Sequence, residues 1–178
     1  AMKLGLKYAP GWLLRPFVLR FTTTSMAPEL DFFRNGALLV DATGAQIAAP
    51  PSTLGLETAS RPGKTGFAIL DSALAKRYSK WPDFVATAPG VAYAYFDDFR
   101  KTRPDLFHRA DSIAGLADKL GMEPASLLEA VSAHNTGDIP APLATPPFYA
   151  LGPARSYIVL TDGGLAVDSQ LRLLGHED

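Results

Sequence analysis

Between Asp111 and Val131 the chain carries its own punctuation, and that stretch limits the possible folds more than any other. Ser112 stands where a helix cap belongs, and Ile113, Leu116, Ala117 and Leu120 follow at i, i+3, i+4 and i+7 before Gly121. Pro124 occupies a first helical position, and Leu127, Leu128 and Val131 form the apolar stripe of a second helix. Two helices separated by a short link are therefore predicted here. His134 and Asn135 end the second one, where a positive imidazole and a left-handed Asn are both favourable.

Strand signals lie on either side of this pair. Ala37–Asp41 is a short apolar run followed by Ala42-Thr43-Gly44 and then Ala45–Ala48, which reads as a β-hairpin with Gly44 at the turn. Pro50-Pro51 ends it, and Ser52–Thr65 is expected to be an exposed loop. Gly66–Asp71 reads as a strand, with a helix start as the alternative. Ala73–Tyr78 reads as helix, with Asp71 or Ser72 as its cap. Lys80–Arg103 is ambiguous and is taken as loop plus a short helix around Tyr93–Phe99. After a proline-rich connection, Ile139–Pro147, the runs Ser156–Leu160, Leu165–Val167 and Leu171–Leu174 read as strands. Strands near both ends with helices between them predict an α+β fold in which the ends pair in a small sheet.

Composition excludes several classes of function. With 178 residues the chain can build one domain with a real core. Its formal charge of −1, with no long basic run, argues against a nucleic-acid surface. The absence of cysteine removes disulfides, thiolate metal sites and a cysteine nucleophile, and fits a reducing cytoplasm. The segment Tyr8–Phe21 is apolar but interrupted by Pro10, Arg15, Pro16 and Arg20, so no membrane insertion is expected. The 15 prolines and 15 glycines predict long loops and broken sheet.

Few stretches hint at chemistry. Ser60–Gly66, "SRPGKTG", matches the tail of a phosphate-binding loop at Gly63-Lys64-Thr65, but Thr58 stands where its first glycine belongs, so a mobile surface loop is expected. His108, His134 and His176 are scattered at no metal-ligand spacing and read as surface or capping residues. Asp97-Asp98 reads as a solvated face rather than a general-acid pair. The segment "YIVLTDGGLAVD", Tyr157–Asp168, is different. Twin glycines after an apolar run mark either a hairpin turn or a close approach of backbone to a planar or anionic ligand.

Three stretches, in order, resemble one family. "PPFYALGPARSYIVLTDGGLAVDSQLRLLG" resembles the closing segment of the substrate-capping domain in the fumarate reductase/succinate dehydrogenase flavoproteins, with its Pro-Phe-Tyr-Ala and Thr-x-Gly-Gly motifs. "RNGALLVDATGAQI" is similar to that family's glycine-containing hairpin, and "ADSIAGLADKLGMEPASLLEAVSAHN" to its two-helix segment. Together they span about Arg34 to Gly175. The resemblance implies a capping domain, residues 1–178, cut from a larger FAD-dependent oxidoreductase, whose last residues begin the return to the FAD-binding domain. It further implies that Thr161, Asp162, Gly163 and Gly164 lie beside the isoalloxazine ring, where small residues let backbone approach the flavin. The implied partners are the rest of its own FAD-binding domain and a small-molecule substrate. Alone, the domain is expected to bind FAD weakly or not at all.

Departures from the family pattern narrow the chemistry. Alignment on Gly44 puts Leu54, after Ser52-Thr53, where the family carries a proton-donating arginine, and Leu160 where a carboxylate-holding histidine belongs. Leucine can do neither job, so reduction of fumarate itself is not expected. The resemblance implies substrate contacts at Ser52, Thr53, Leu54 and Leu160, and hydride transfer at a C–C bond beside a carbonyl. Tyr149 is the candidate to polarise that carbonyl or donate a proton; its other reading is a packed aromatic. Two rival functions stand beside this one: a non-catalytic binding module that keeps the fold, and a dicarboxylate reductase whose acid is Arg34 or Arg61.

Overall fold

The computed structural model of the chain describes residues 11–88, 90–156, 170 and 172. In chain order come helices α1 (Gly11–Ser25) and α2 (Leu30–Arg34), strand β1 (Leu38–Asp41), helix α3 (Leu54–Ser60), strand β2 (Thr65–Leu70) and helix α4 (Ser72–Arg77). A hairpin of β3 (Ala86–Ala88) and β4 (Ala92–Ala94) follows, then α5 (Phe96–Thr102), β5 (Phe107–Ala110), α6 (Ile113–Leu120), α7 (Pro124–Thr136) and β6 (Phe148–Arg155).

The main sheet is antiparallel, in the order β1-β2-β6-β5, so the last described strand inserts beside the second. This is the α+β fold expected from sequence. The pairing of early and late chain is made by β6 with β2, through Leu70↔Tyr149, Ile69↔Ala150 and Thr65↔Arg155. No strand is expected from sequence at β6, because Pro147 and Pro153 bracket its apolar core. The strands expected after Ser156 lie outside the described residues.

Each face of the sheet has its own cover. Leu38, Val40, Ile69 and Ala150 share one face and are buried. Helix α6 lies on that side: a Cβ on its Gly115 would stand 3.7 Å from Ala110 Cβ. The helix pair is built as its punctuation predicts. Ser112 Oγ accepts from Gly115 N at 3.0 Å, Gly121 closes α6 in the left-handed region at φ +69°, and Pro124 opens α7. The opposite face carries Leu39, Ala68, Leu151, Phe107 and Tyr149. Helix α3 covers one end of it and Phe96 of α5 the other.

Three expectations are corrected. Ser52–Thr65 is not an exposed loop but a 3-10 turn at Pro51–Thr53, helix α3 and a second turn at Pro62–Lys64. Leu54 and Thr58, one helical turn apart, are both buried, and the Thr58 hydroxyl donates to Leu54 O at 2.7 Å. Lys80–Arg103 holds the β3–β4 hairpin and α5 rather than a loop with a helix at Tyr93–Phe99. One face of this hairpin is all alanine (Ala86, Ala88, Ala92, Ala94), and α1 packs closely on the hairpin. Asp98 is buried rather than solvated: its Oδ2 accepts from Tyr95 N at 3.0 Å and caps α5. The spacing Tyr95-x-x-Asp98 is that of a capping residue at the third helical position, a signal the sequence did contain.

A phenol ties the N-terminal third to α4. Tyr78 is 1% exposed, donates to Asp31 O at 2.9 Å and accepts from Asn35 Nδ2 at 2.9 Å. Burial pushes its pKa above the ordinary value near 10, more than the Asn35 bond lowers it. A raised pKa means that the folded state holds this proton more tightly. Its contribution is complete below the unfolded pKa of about 10 and is lost as pH rises beyond it. Tyr78→Phe should cost about 1 kcal/mol at neutral pH, because it leaves Asp31 O and the half-buried Asn35 amide each short of a partner. Thermal melts from pH 8 upward should show the wild-type advantage shrinking above about pH 10; a constant gap would contradict this account.

Candidate functional site

The turn after β1 shapes one wall of a surface cavity. Asp41 is buried, and its Oδ1 accepts from Thr43 N at 2.9 Å, Thr43 Oγ1 at 2.6 Å and Ala45 N at 3.2 Å. Gly44 sits at φ +88°, and a Cβ there would stand 3.2 Å from Leu127 N. The chain then folds back on β1, with Ile47 N donating to Leu39 O at 2.8 Å. The predicted hairpin thus exists as a tight turn, but its second arm makes only the Val40/Gln46 bridge.

Between this arm, the Pro51–Thr53 turn and the end of α7 lies a cavity of about 280 Å³. Its walls include Leu38, Leu39, Ile47, Pro51, Leu54 and His134, and Arg34 and Asp138 add charge. Leu54 is 8% exposed, whereas Ser52 and Thr53 face solvent. Of the three substrate residues expected on this turn, Leu54 alone lines the cavity. His134 is a correction: it is buried, its Nε2 lies 2.9 Å from Gly36 O, and α7 runs on to Thr136. A lone histidine near a helix end gives no sequence signal for that contact. Asn135 does not sit in a left-handed cap; its side chain bonds Leu143 through both N and O.

The arginines named as alternative acids are both engaged. Arg34 pairs with Asp31 at 2.9 Å on the surface, and Arg61 lies 3.8 Å from Asp41, half-exposed. Among the described residues no group of three His, Asp or Glu side chains could hold a metal ion. No described helix is long and apolar enough to cross a membrane.

Tyr149 opens β6 opposite Leu70 and Arg109. Its half-buried ring meets Phe96 edge-on, with centroids 4.9 Å apart, and Phe107 at 5.7 Å. It shares a sheet face with the residues under α3 but stands at the far end, so Tyr149 and Leu54 do not meet. A Cβ on Gly55 would lie 3.7 Å from Ser156 Oγ, so Ser156 sits beside the start of α3. Leu160 and Thr161–Gly164 lie outside the described residues.

No family model matches the sequence, and no curated protein matches it. Solved structures do share its fold. The 3-ketosteroid delta1-dehydrogenase from Sterolibacterium denitrificans, in complex with 1,4-androstadiene-3,17-dione, matches 83% of this chain with TM-score 0.53 and 17% identity. The 3-ketosteroid-delta4-(5alpha)-dehydrogenase from Rhodococcus jostii RHA1, in complex with 4-androstene-3,17-dione, matches 84% with TM-score 0.52 and 16% identity. A flavocytochrome c3 fumarate reductase in its open conformation matches 71% with TM-score 0.51 and 17% identity. The chain spans only 33%, 31% and 23% of those three proteins, respectively. The resemblance drawn from three sequence stretches thus recurs as a shared fold with one part of larger oxidoreductases.

Proposed function

We propose that this chain is the substrate-capping domain of a larger FAD-dependent oxidoreductase, one that transfers hydride at a C–C bond beside a carbonyl and does not act on fumarate. The observation that carries this reading is the lopsided coverage: most of this chain matches, against a third or less of each neighbour. Leu54 supports the exclusion of fumarate, because the wall where the family resemblance calls for a cationic acid is aliphatic and buried.

The described residues do not fit a whole FAD. A cavity of about 280 Å³ falls at the lower edge of the roughly 300–1,000 Å³ of small-molecule sites, well short of a dinucleotide. In this reading the domain supplies one wall to the cofactor, Thr161–Gly164, and the remaining polypeptide supplies the rest. When bound, the flavin provides the redox chemistry. Leu54 and Leu160 exclude water from the substrate, and Ser52 and Thr53 offer hydroxyls at the start of α3. Tyr149, packed on Phe96 and Phe107 at the other end of the sheet, would reach only the far end of a long substrate, where it would orient or protonate a carbonyl. Closure of the domain over the substrate would gate turnover.

Purifying the full-length parent and recording its visible spectrum tests this directly. Flavin bands that bleach on reduction are expected. A colourless parent would remove the reading in favour of a binding module that merely keeps the fold.

A further inference from the structure

Helix α1 buries one side and leaves the other bare. Leu19, Thr22 and Thr23 turn inward, the two hydroxyls donating to Val18 O and Leu19 O at 2.9 Å, and Thr23 Oγ1 also lies 2.8 Å from Thr102 Oγ1 of α5. Phe17 is 76% exposed and Phe21 50%. At about 100° per residue, Phe17, Arg20, Phe21 and Thr24 fall within an arc of about 100°. A single exposed ring is ordinary, but two rings one turn apart with a guanidinium beside them form a patch.

Charge is as unevenly spread as the rings. The first 28 residues hold Lys3, Lys7, Arg15 and Arg20 and no acid; every one of the 18 acidic residues follows, although the whole chain is at −1. Arg20 does add to the positive field at Asp105, but Arg103 already holds that carboxylate at 2.8 Å.

We propose that the exposed face of α1 docks on an anionic lipid bilayer, with the Phe17 and Phe21 rings at headgroup depth and Arg20, within the same arc, against lipid phosphates. The helix would lie along the surface: its 15 residues are too few to span the hydrocarbon core. Charge complementarity favours this occupant over a second copy, which would set Arg20 of one copy against Arg20 of the other. A stable protein interface also needs about 800 Å² per partner, more than one face of a helix this short presents.

Cosedimentation of the 178-residue chain with phosphatidylcholine vesicles, with and without phosphatidylglycerol, tests the proposal. Binding should need the anionic lipid and weaken as salt is added. Arg20→Gln should reduce partitioning about fivefold, and the double variant Phe17→Ser/Phe21→Ser about tenfold or more. Leu56→Ser, an exposed change on α3, should leave it unaltered, and circular dichroism should show every variant folded. Equal binding to neutral vesicles, or full binding by the double variant, would overturn the proposal. So would lipid-free dimerisation that Phe17→Ser/Phe21→Ser abolishes, because the face would then be a contact between copies.

Discussion

Gly152→Ala is expected to destabilise the fold by about 3 kcal/mol, the upper end of overpacking costs. The reason is space. A Cβ at position 152 would stand 2.7 Å from Phe67 Cδ1, 2.9 Å from Gly66 O and 3.1 Å from Phe67 Cα. Two of these three are backbone atoms of β2, fixed by pairing with β1 on the other side. The register between β2 and β6 shifts at this point, between Gly66 and Ala68, and the two strands pass here as bare main chain. Gly55→Ala makes the contrast. Its Cβ would meet only Ser156 Oγ at 3.7 Å inside a helix, so alanine there should stabilise by up to about 1 kcal/mol. Urea unfolding midpoints for the two variants should move in opposite directions with the slope unchanged. If Gly152→Ala unfolds like wild type, β6 does not cross β2 as closely as described.

Asp71→Ala should cost nearly as much, for a different reason. This buried carboxylate does two jobs. Its Oδ1 caps α4 by accepting from Leu74 N at 2.9 Å, and its Oδ2 accepts from Ala144 N at 3.2 Å and Thr145 N at 3.0 Å. A lost cap costs about 1 kcal/mol, and amides left without an acceptor add about 2 kcal/mol. The consequence reaches the cavity, because the tethered connection supplies Ile139 and Pro140 to its wall. Hydrogen exchange at Ala144 and Thr145 should quicken in Asp71→Ala beyond what global destabilisation explains. Asp71→Asn, which keeps one acceptor oxygen, should recover part of the loss. Asp97→Ala, which breaks an exposed 3.5 Å pair with Arg100, should change stability by less than about 1 kcal/mol. Unchanged exchange at Ala144 and Thr145 would mean that Asp71 is only a helix cap.

The candidate site divides in the same way as the fold. The Gly44 turn was legible because three or four adjacent residues decide it. The placing of Leu54 in a wall was not: it needed α3, and α3 forms because Leu54 and Thr58 are buried against a sheet that the local sequence does not mention. His134 read as a surface or capping residue for the same reason. Its partner, Gly36 O, lies 98 positions away and came within reach only once the chain had folded around it. Tyr149 satisfied its motif, yet its ring lies with Phe96 and Phe107, residues brought to it by β5 and α5.

From its residues alone this protein declared two helices opened by Ser112 and Pro124, a tight turn at Gly44, a cap at Asp71 or Ser72 and an α+β class. Each depends on hydrogen bonds or periodicities spanning a few positions, whose energies exist wherever the segment lies. Tertiary structure alone decided that Phe148–Arg155 is a strand between β2 and β5, that α3 replaces a loop, and that Gly152 must have no side chain. Those outcomes rest on pairing and burial between residues about 38 to 90 positions apart. A buried surface acquires its stabilising effect only when both halves of it are present.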